Sequence, residues 1–147
     1  MRVVVQRVKH ASCTIDGNLY SSIEQGYLLL VGFTHTDTMK EVSYLAKKIA
    51  GLRVFEDENG KMNLSLKAVG GKILSISQFT LYADTKDGNR PAFINAMKPD
   101  EASRLYDLFN EELRKYDIEV YTGIFGSDMK IELLNDGPVT IIYDENF

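Results

Sequence analysis

The sequence predicts a strand-rich α+β domain with two main helices. Val, Ile, Leu and Thr gather in short runs along 2–15, 27–31 and 72–76, and turn signals such as Asp16-Gly17-Asn18 and Asp57-Glu58-Asn59-Gly60 separate the runs. Only two stretches repeat apolar residues at helical spacing, one around 38–50 and one around 99–115. With 147 residues the chain fits one domain, 1–147, large enough to bury roughly two-thirds of its unfolded surface in a single core.

In order, residues 2–9 and 11–15 read as extended, and the turn at 16–18 leads into Leu19-Tyr20-Ser21-Ser22-Ile23 as a hairpin. Tyr27-Leu28-Leu29-Leu30-Val31 is an unbroken apolar run between Gly26 and Gly32, short enough for a buried strand. Thr36 or Asp37 is expected to cap a helix over 38–50 that buries Val42, Leu45, Ala46 and Ile49, and Gly51 stops it. Arg53-Val54-Phe55 and the turn at 57–60 form another hairpin. A strand is expected through 72–82. Pro99 opens the second helix, which lines up Ala102, Leu105, Tyr106, Phe109 and Leu113. Two last strands, 118–124 and 129–134, lead into 138–143.

Composition narrows the function classes. A hydrophobic fraction of 44% with 26% charged residues is ordinary for a soluble globular protein. Cys13 is the only cysteine, so no intrachain disulfide forms and a reducing, cytoplasmic setting is expected. No apolar stretch approaches the ~18 residues of a membrane span, so no membrane partner is expected. A net charge of −4 argues against a protein that coats nucleic acid backbone, though not against one that grips a short segment locally.

Two segments break local rules, and such breaks gather at functional sites. In Ser77-Gln78-Phe79-Thr80-Leu81-Tyr82-Ala83-Asp84, polar Gln and Thr stand where the pattern of Lys72-Ile73-Leu74-Ser75-Ile76 calls for apolar residues. Alternation puts Leu74, Ile76, Gln78, Thr80 and Tyr82 on one face, which turns polar toward the end of the strand. That is either a pocket floor with backbone N–H groups free beside it or an ordinary strand end. In Asn135-Asp136-Gly137-Pro138-Val139-Thr140, a Pro follows an Asp-Gly turn signal. The pair Gly137-Pro138 is either a tight turn with Pro at the start of an edge strand or a cis bond whose two carbonyls face one way.

Side-chain catalysis has little to work with. His10 and His35 lack the context of a triad, G-x-S-x-G is absent, and no spacing fits a zinc site, so no metal or cofactor is expected. Asp57-Glu58 and Glu111-Glu112 read as turn and solvated helix charges. An enzyme built on this chain would work through backbone groups and geometry.

Taken together, Met1-Arg2-Val3-Val4-Val5-Gln6-Arg7-Val8, Gly60-Lys61-Met62-Asn63, the Ser77 to Asp84 segment, Gly88-Asn89-Arg90-Pro91 and Asn135 to Thr140 make the chain resemble the bacterial D-aminoacyl-tRNA deacylases over essentially its full length. Ala92 stands where many relatives carry Ser. The resemblance implies a barrel-like mixed or antiparallel sheet and a homodimer with shared active sites. It implies hydrolysis of D-aminoacyl-tRNA, and of mischarged glycyl-tRNA, to free amino acid and tRNA, with L-esters rejected. Ser77, Gln78, Phe79 and Thr80 would form the catalytic pocket, and Gly137 and Pro138, in cis form, would reach into the partner's pocket. The backbone N–H groups near Phe79 and Thr80 would stabilise the oxyanion, and Thr80 as nucleophile is the rival mechanism. Phe125 and Met129 are assigned by position to the terminal adenosine, and Lys86 and Arg90, with Lys98, to the tRNA 3′ end. Two other readings remain: a hydrolase of small D-amino acid esters or amides, and a noncatalytic RNA-binding module.

Overall fold

Runs of Val, Leu and Ile become the strands that carry everything else. The computed structural model describes residues 1–144, and the last three residues of the 1–147 unit lie outside it. Along the described chain run β1 (Arg2–Ile15), β2 (Asn18–Ile23), β3 (Gly26–Gly32), α1 (Met39–Ala50), β4 (Arg53–Glu56) and β5 (Met62–Ser65). They are followed by β6 (Lys72–Ser77), a 3₁₀ turn (Phe79–Tyr82), α2 (Pro99–Arg114), β7 (Val120–Thr122) and β8 (Lys130–Tyr143).

The main sheet is mixed and barrel-like, with strands in the order β2-β1-β3-β6-β7 and β8 lying along β1. β1 pairs antiparallel with β2, β3 and β8, whereas β6 runs parallel to both β3 and β7. Parallel pairing of β3 with β6 needs a long crossover, which α1 and the separate β4–β5 hairpin supply. One face of the sheet, with Tyr27, Leu29, Val31 and Ile73, is covered by Val42, Leu45 and Ile49 of α1 and Leu105, Phe109 and Leu113 of α2. Each such side chain contributes about 1.5–3 kcal/mol when fully buried. The other face holds Val8, Cys13, Leu28, Leu74 and Ile76, and at its margin Leu30, Ile131 and Leu133 stay only half-buried.

Four expectations change. Thr38, not Thr36 or Asp37, caps α1: its hydroxyl accepts the Lys40 N–H at 3.2 Å, and the Glu41 carboxylate accepts the Thr38 N–H at 2.7 Å. Glu41 at the third helical position completes a capping box, and the hydrogen bond from Thr38 holds its carboxyl below the usual range. Asp37 instead accepts the Thr34 N–H at 2.7 Å and pairs with the Met1 ammonium. The strand expected over 72–82 ends at Ser77, because β3 ends at Gly32 and β7 offers partners only to Ile73, Leu74 and Ser75. The strand expected over 118–124 shrinks to Val120–Thr122. The segments 129–134 and 138–143 belong to one strand, β8, which crosses the Gly-Pro pair without breaking.

Candidate active site

At the end of β6 the chain stops being a strand and becomes a wall. Gln78 donates its N–H to Val31 O at 2.7 Å, the last bond that continues the β3–β6 ladder, and Phe79 to Tyr82 then close into the 3₁₀ turn. Glycine at position 32 permits this, because a Cβ there would stand 2.8 Å from the Gln78 carbonyl oxygen and 3.2 Å from Leu81 Cβ. The N–H groups of Phe79 and Thr80 fall in the first turn of that short helix, where no preceding carbonyl accepts them. From α2, the Tyr106 hydroxyl donates to Ser75 O at 2.6 Å and so pins β6 two residues before Ser77. Burial pushes the Tyr106 phenol up, which keeps it a neutral donor.

Beside this turn lies a cavity of about 500 Å³, the size of a small-ligand site. Ser77, Gln78 and Phe79 line it together with Phe125 and Met129. Its remaining wall includes Ala96, Met97, Lys98 and Pro99, so the cavity is mostly apolar with a cation at its mouth. The Phe125 ring lies 6.1 Å from that of Tyr106, which links the pocket wall to the same helix that pins β6. Thr80 is the next residue of the turn but lies outside this lining, and it is exposed. Among the described residues its hydroxyl has no hydrogen-bond partner, and no cluster of His, Cys, Asp and Glu fit for a metal occurs. His35 is occupied by the Ile94 carbonyl at 2.6 Å, and His10 is exposed. Lys86 lines a separate polar cleft on the other side of the turn with Arg2, Asp84 and Asn95, and Arg90 is exposed on the loop between.

Gly137 and Pro138 do not line this cavity within the same chain. Their peptide bond is cis, and both residues are exposed. The register explains how a strand presents them. Val8 pairs with Asn135 and Gln6 with Thr140, so Arg7 alone faces the four residues Asp136 to Val139, which swell out as a wide bulge. Arg7 is buried beneath it. Its Nε donates to Asp136 O at 3.0 Å, its Nη1 donates to Val54 O at 2.6 Å, and the Asp136 carboxylate lies 3.6 Å away. From the bulge itself, Asn135 Nδ2 donates to Arg7 O at 2.9 Å and to Val139 O at 3.0 Å. Buried Val139 anchors the far side. Gly137 has φ +134, and a Cβ there would meet Val139 Cγ2 at 2.7 Å. The sequence reading missed Arg7 and Asn135 as supports.

The uncovered sheet face continues from the cavity. A shallow groove of about 370 Å³ runs over Gln6, Leu28, Leu30, Ile76, Ile131 and Leu133, and it shares Gln78 and Met129 with the pocket. No helix among the described residues is long and apolar enough to cross a membrane.

A family model described as D-Tyr-tRNA(Tyr) deacylase matches residues 4–144. A D-aminoacyl-tRNA deacylase of Exiguobacterium sibiricum is 60% identical over 145 residues, covering 99% of this chain and 100% of its own. Among solved structures, a c-Myc DNA Unwinding Element Binding Protein superposes with a TM-score of 0.91 at 42% identity, covering 99% of each chain. A probable eukaryotic D-amino acid tRNA deacylase superposes at 0.84 over 97% of each chain with 16% identity, a likeness of fold alone.

Proposed function

The chain belongs to the D-Tyr-tRNA(Tyr) deacylase family, and from that premise we propose that it hydrolyses the ester of D-aminoacyl-tRNA to free D-amino acid and tRNA, sparing L-aminoacyl-tRNA. The observation that carries this reading is a mostly apolar cavity lined by Ser77, Gln78 and Phe79, beside a turn in which the backbone N–H groups of Phe79 and Thr80 have no backbone acceptor among the described residues. An aminoacyl ester is already activated, so stabilising its oxyanion suffices, and each such donor is worth about 3–4 kcal/mol. The terminal adenosine rests against Phe125 and Met129, Gln78 orients the ester, and the ribose 2′-hydroxyl beside it positions the attacking water. Nothing in this scheme asks Thr80 for its hydroxyl.

Selectivity belongs to a second copy of the chain. In this proposal the protein is a homodimer in the cytoplasm, and the exposed bulge of one copy enters the other's pocket along the groove that starts at Gln78. The Gly137 and Pro138 carbonyls then hold the α-amino group and fill the space where an L side chain would project, while a D side chain points to solvent. Glycine has nothing to exclude, so glycyl-tRNA is cleaved, and D side chains are tolerated broadly because no pocket reads them. The support for this arrangement is the rigid seating of the bulge on Arg7, Asn135 and Val139, together with a half-buried apolar sheet face beside the site.

The test is deacylation of D-Tyr-tRNA beside L-Tyr-tRNA at equal, low enzyme concentration. Loss of the D-ester alone is expected. Equal loss of both would leave a nonspecific esterase, and a simple D-tyrosine ester cleaved as fast as the tRNA ester would shift the reading to a small-molecule hydrolase. Sedimentation as a monomer would remove the second copy from the scheme.

A further inference from the structure

The lining of the cavity varies in chemistry. On one side stand Phe79 and Phe93, edge to face with ring centroids 4.8 Å apart, and Ile94 follows them. These side chains are 57%, 37% and 72% exposed, an unusual concentration of bare apolar surface beside a pocket. The two rings line the cavity as well, so they form its edge and continue onto the surface. Lys98 stands at the same mouth, and Lys86 and Arg90 are exposed on the segment that leads to Phe93. Another stretch of the lining, Gly126, Ser127 and Met129, is interrupted by the exposed carboxylate of Asp128, which Lys130 neutralises at 2.8 Å.

We propose that Phe79, Phe93 and Ile94 form a stacking shelf for the nucleobase that precedes the terminal nucleoside of a single-stranded RNA end. This rests on the reading that the cavity takes the terminal aminoacyl-nucleoside. A cavity of about 500 Å³ has room for that group and not for a second nucleotide, so the strand must leave across a rim. Of the cations on this segment, Lys98 alone lines the cavity and can meet a phosphate that leaves over the rings, whereas the Asp128–Lys130 pair offers no net charge. A base that crosses aromatic rings stacks on them through its π-face, with no hydrogen-bond readout needed.

The test compares the D-tyrosyl esters of adenosine and of the dinucleotide cytidylyl-(3′→5′)-adenosine, which differ by one nucleotide. Stacking of one base on an aromatic shelf predicts that the dinucleotide ester has a kcat/KM about 5- to 100-fold higher. In Phe93→Ala and Phe93→Leu this gain collapses toward one, and in Phe93→Tyr it returns. A ring that only supports the fold, or that touches the terminal adenosine, would lower both esters together and leave the gain intact, which would overturn the shelf. A wild-type gain near one would also overturn it. Conversion of dimer to monomer in Phe93→Ala, seen by sedimentation, would assign the rim to contact between copies and remove the shelf. Should D-Tyr-tRNA itself resist hydrolysis by the wild type, the functional reading falls and the shelf with it; hydrolysis of D-Tyr-tRNA with no dinucleotide gain sinks the shelf alone.

Discussion

Arg7 is the residue that the alternation of β1 turns inward: Val3 and Val5 precede it on the same buried face, and a charge in that register needs partners. This signal was legible in the sequence, but the partners were not, because Val54 and Asp136 lie 47 and 129 residues away in the chain. Arg7→Ala would leave the carbonyls of Val54 and Asp136 unmet and is expected to cost about 2–4 kcal/mol in urea denaturation. Arg7→Lys keeps the charge and loses the two-pronged donor geometry, so it should fold with a smaller loss of about 1–2 kcal/mol while the ratio of D- to L-Tyr-tRNA hydrolysis drops. An unchanged ratio in a folded Arg7→Lys protein would detach Arg7 from selectivity. Thr80 gives the opposite expectation. Its hydroxyl is exposed and unpartnered among the described residues, so Thr80→Ala should keep deacylation within about threefold, whereas loss of an activated nucleophile costs orders of magnitude. A folded Thr80→Ala protein without activity would make Thr80 the nucleophile after all.

At the scale of elements, the Ser77 to Tyr82 segment shows where a sequence pattern stops being informative. Alternation describes a strand only while neighbours pair with it, and nothing local in Gln78-Phe79-Thr80 announces that β3 has already ended at Gly32. The Gly-Pro segment was half legible: of its two readings, turn or cis bond, the bond is cis, whereas nothing local showed that long-range pairing of β1 with both halves of β8 holds it in one strand as a bulge. Helices α1 and α2 were easier to read, since an apolar stripe and caps act within one element. The dependence of the 3₁₀ turn on β3 can be tested at Gly32. A Cβ there would press on the Gln78 carbonyl at 2.8 Å, so Gly32→Ala must push the turn away from β3. Displacement of the oxyanion donors by a fraction of an ångström should lower kcat about 10- to 100-fold, with KM for D-Tyr-tRNA changing far less. Equal changes in both constants would mean that the substitution damages binding rather than donor placement.

For the whole molecule, the two-layer side of the sheet makes the strongest demand on the protein's chemistry, because it encloses tyrosines along with the aliphatic core. Tyr27 is fully buried, stacks on Phe55 at 5.4 Å and donates a long hydrogen bond of 3.3 Å to Leu52 O. Burial pushes its phenol well up, the nearby Tyr143 adds to this, and Arg7 opposes it. Burial likewise raises Tyr106 and Tyr143. In the unfolded chain these phenols ionise near pH 10. Above that value the unfolded state therefore binds fewer protons than the folded one, and stability falls as pH rises. The stabilisation is fully present below pH 10 and is lost toward the folded-state values, at up to about 1.4 kcal/mol per pH unit for each strongly shifted tyrosine. Urea denaturation at pH 9 and pH 11 should thus show a marked loss at the higher pH. Tyr27→Phe isolates one contribution: it gives up only a weak hydrogen bond at neutral pH, about 0.5–1 kcal/mol, but should lose about 1.4 kcal/mol less than the wild type between pH 9 and pH 11. Equal losses in the two proteins would mean that Tyr27 ionises as freely in the fold as in the open chain, and that the core around it admits water.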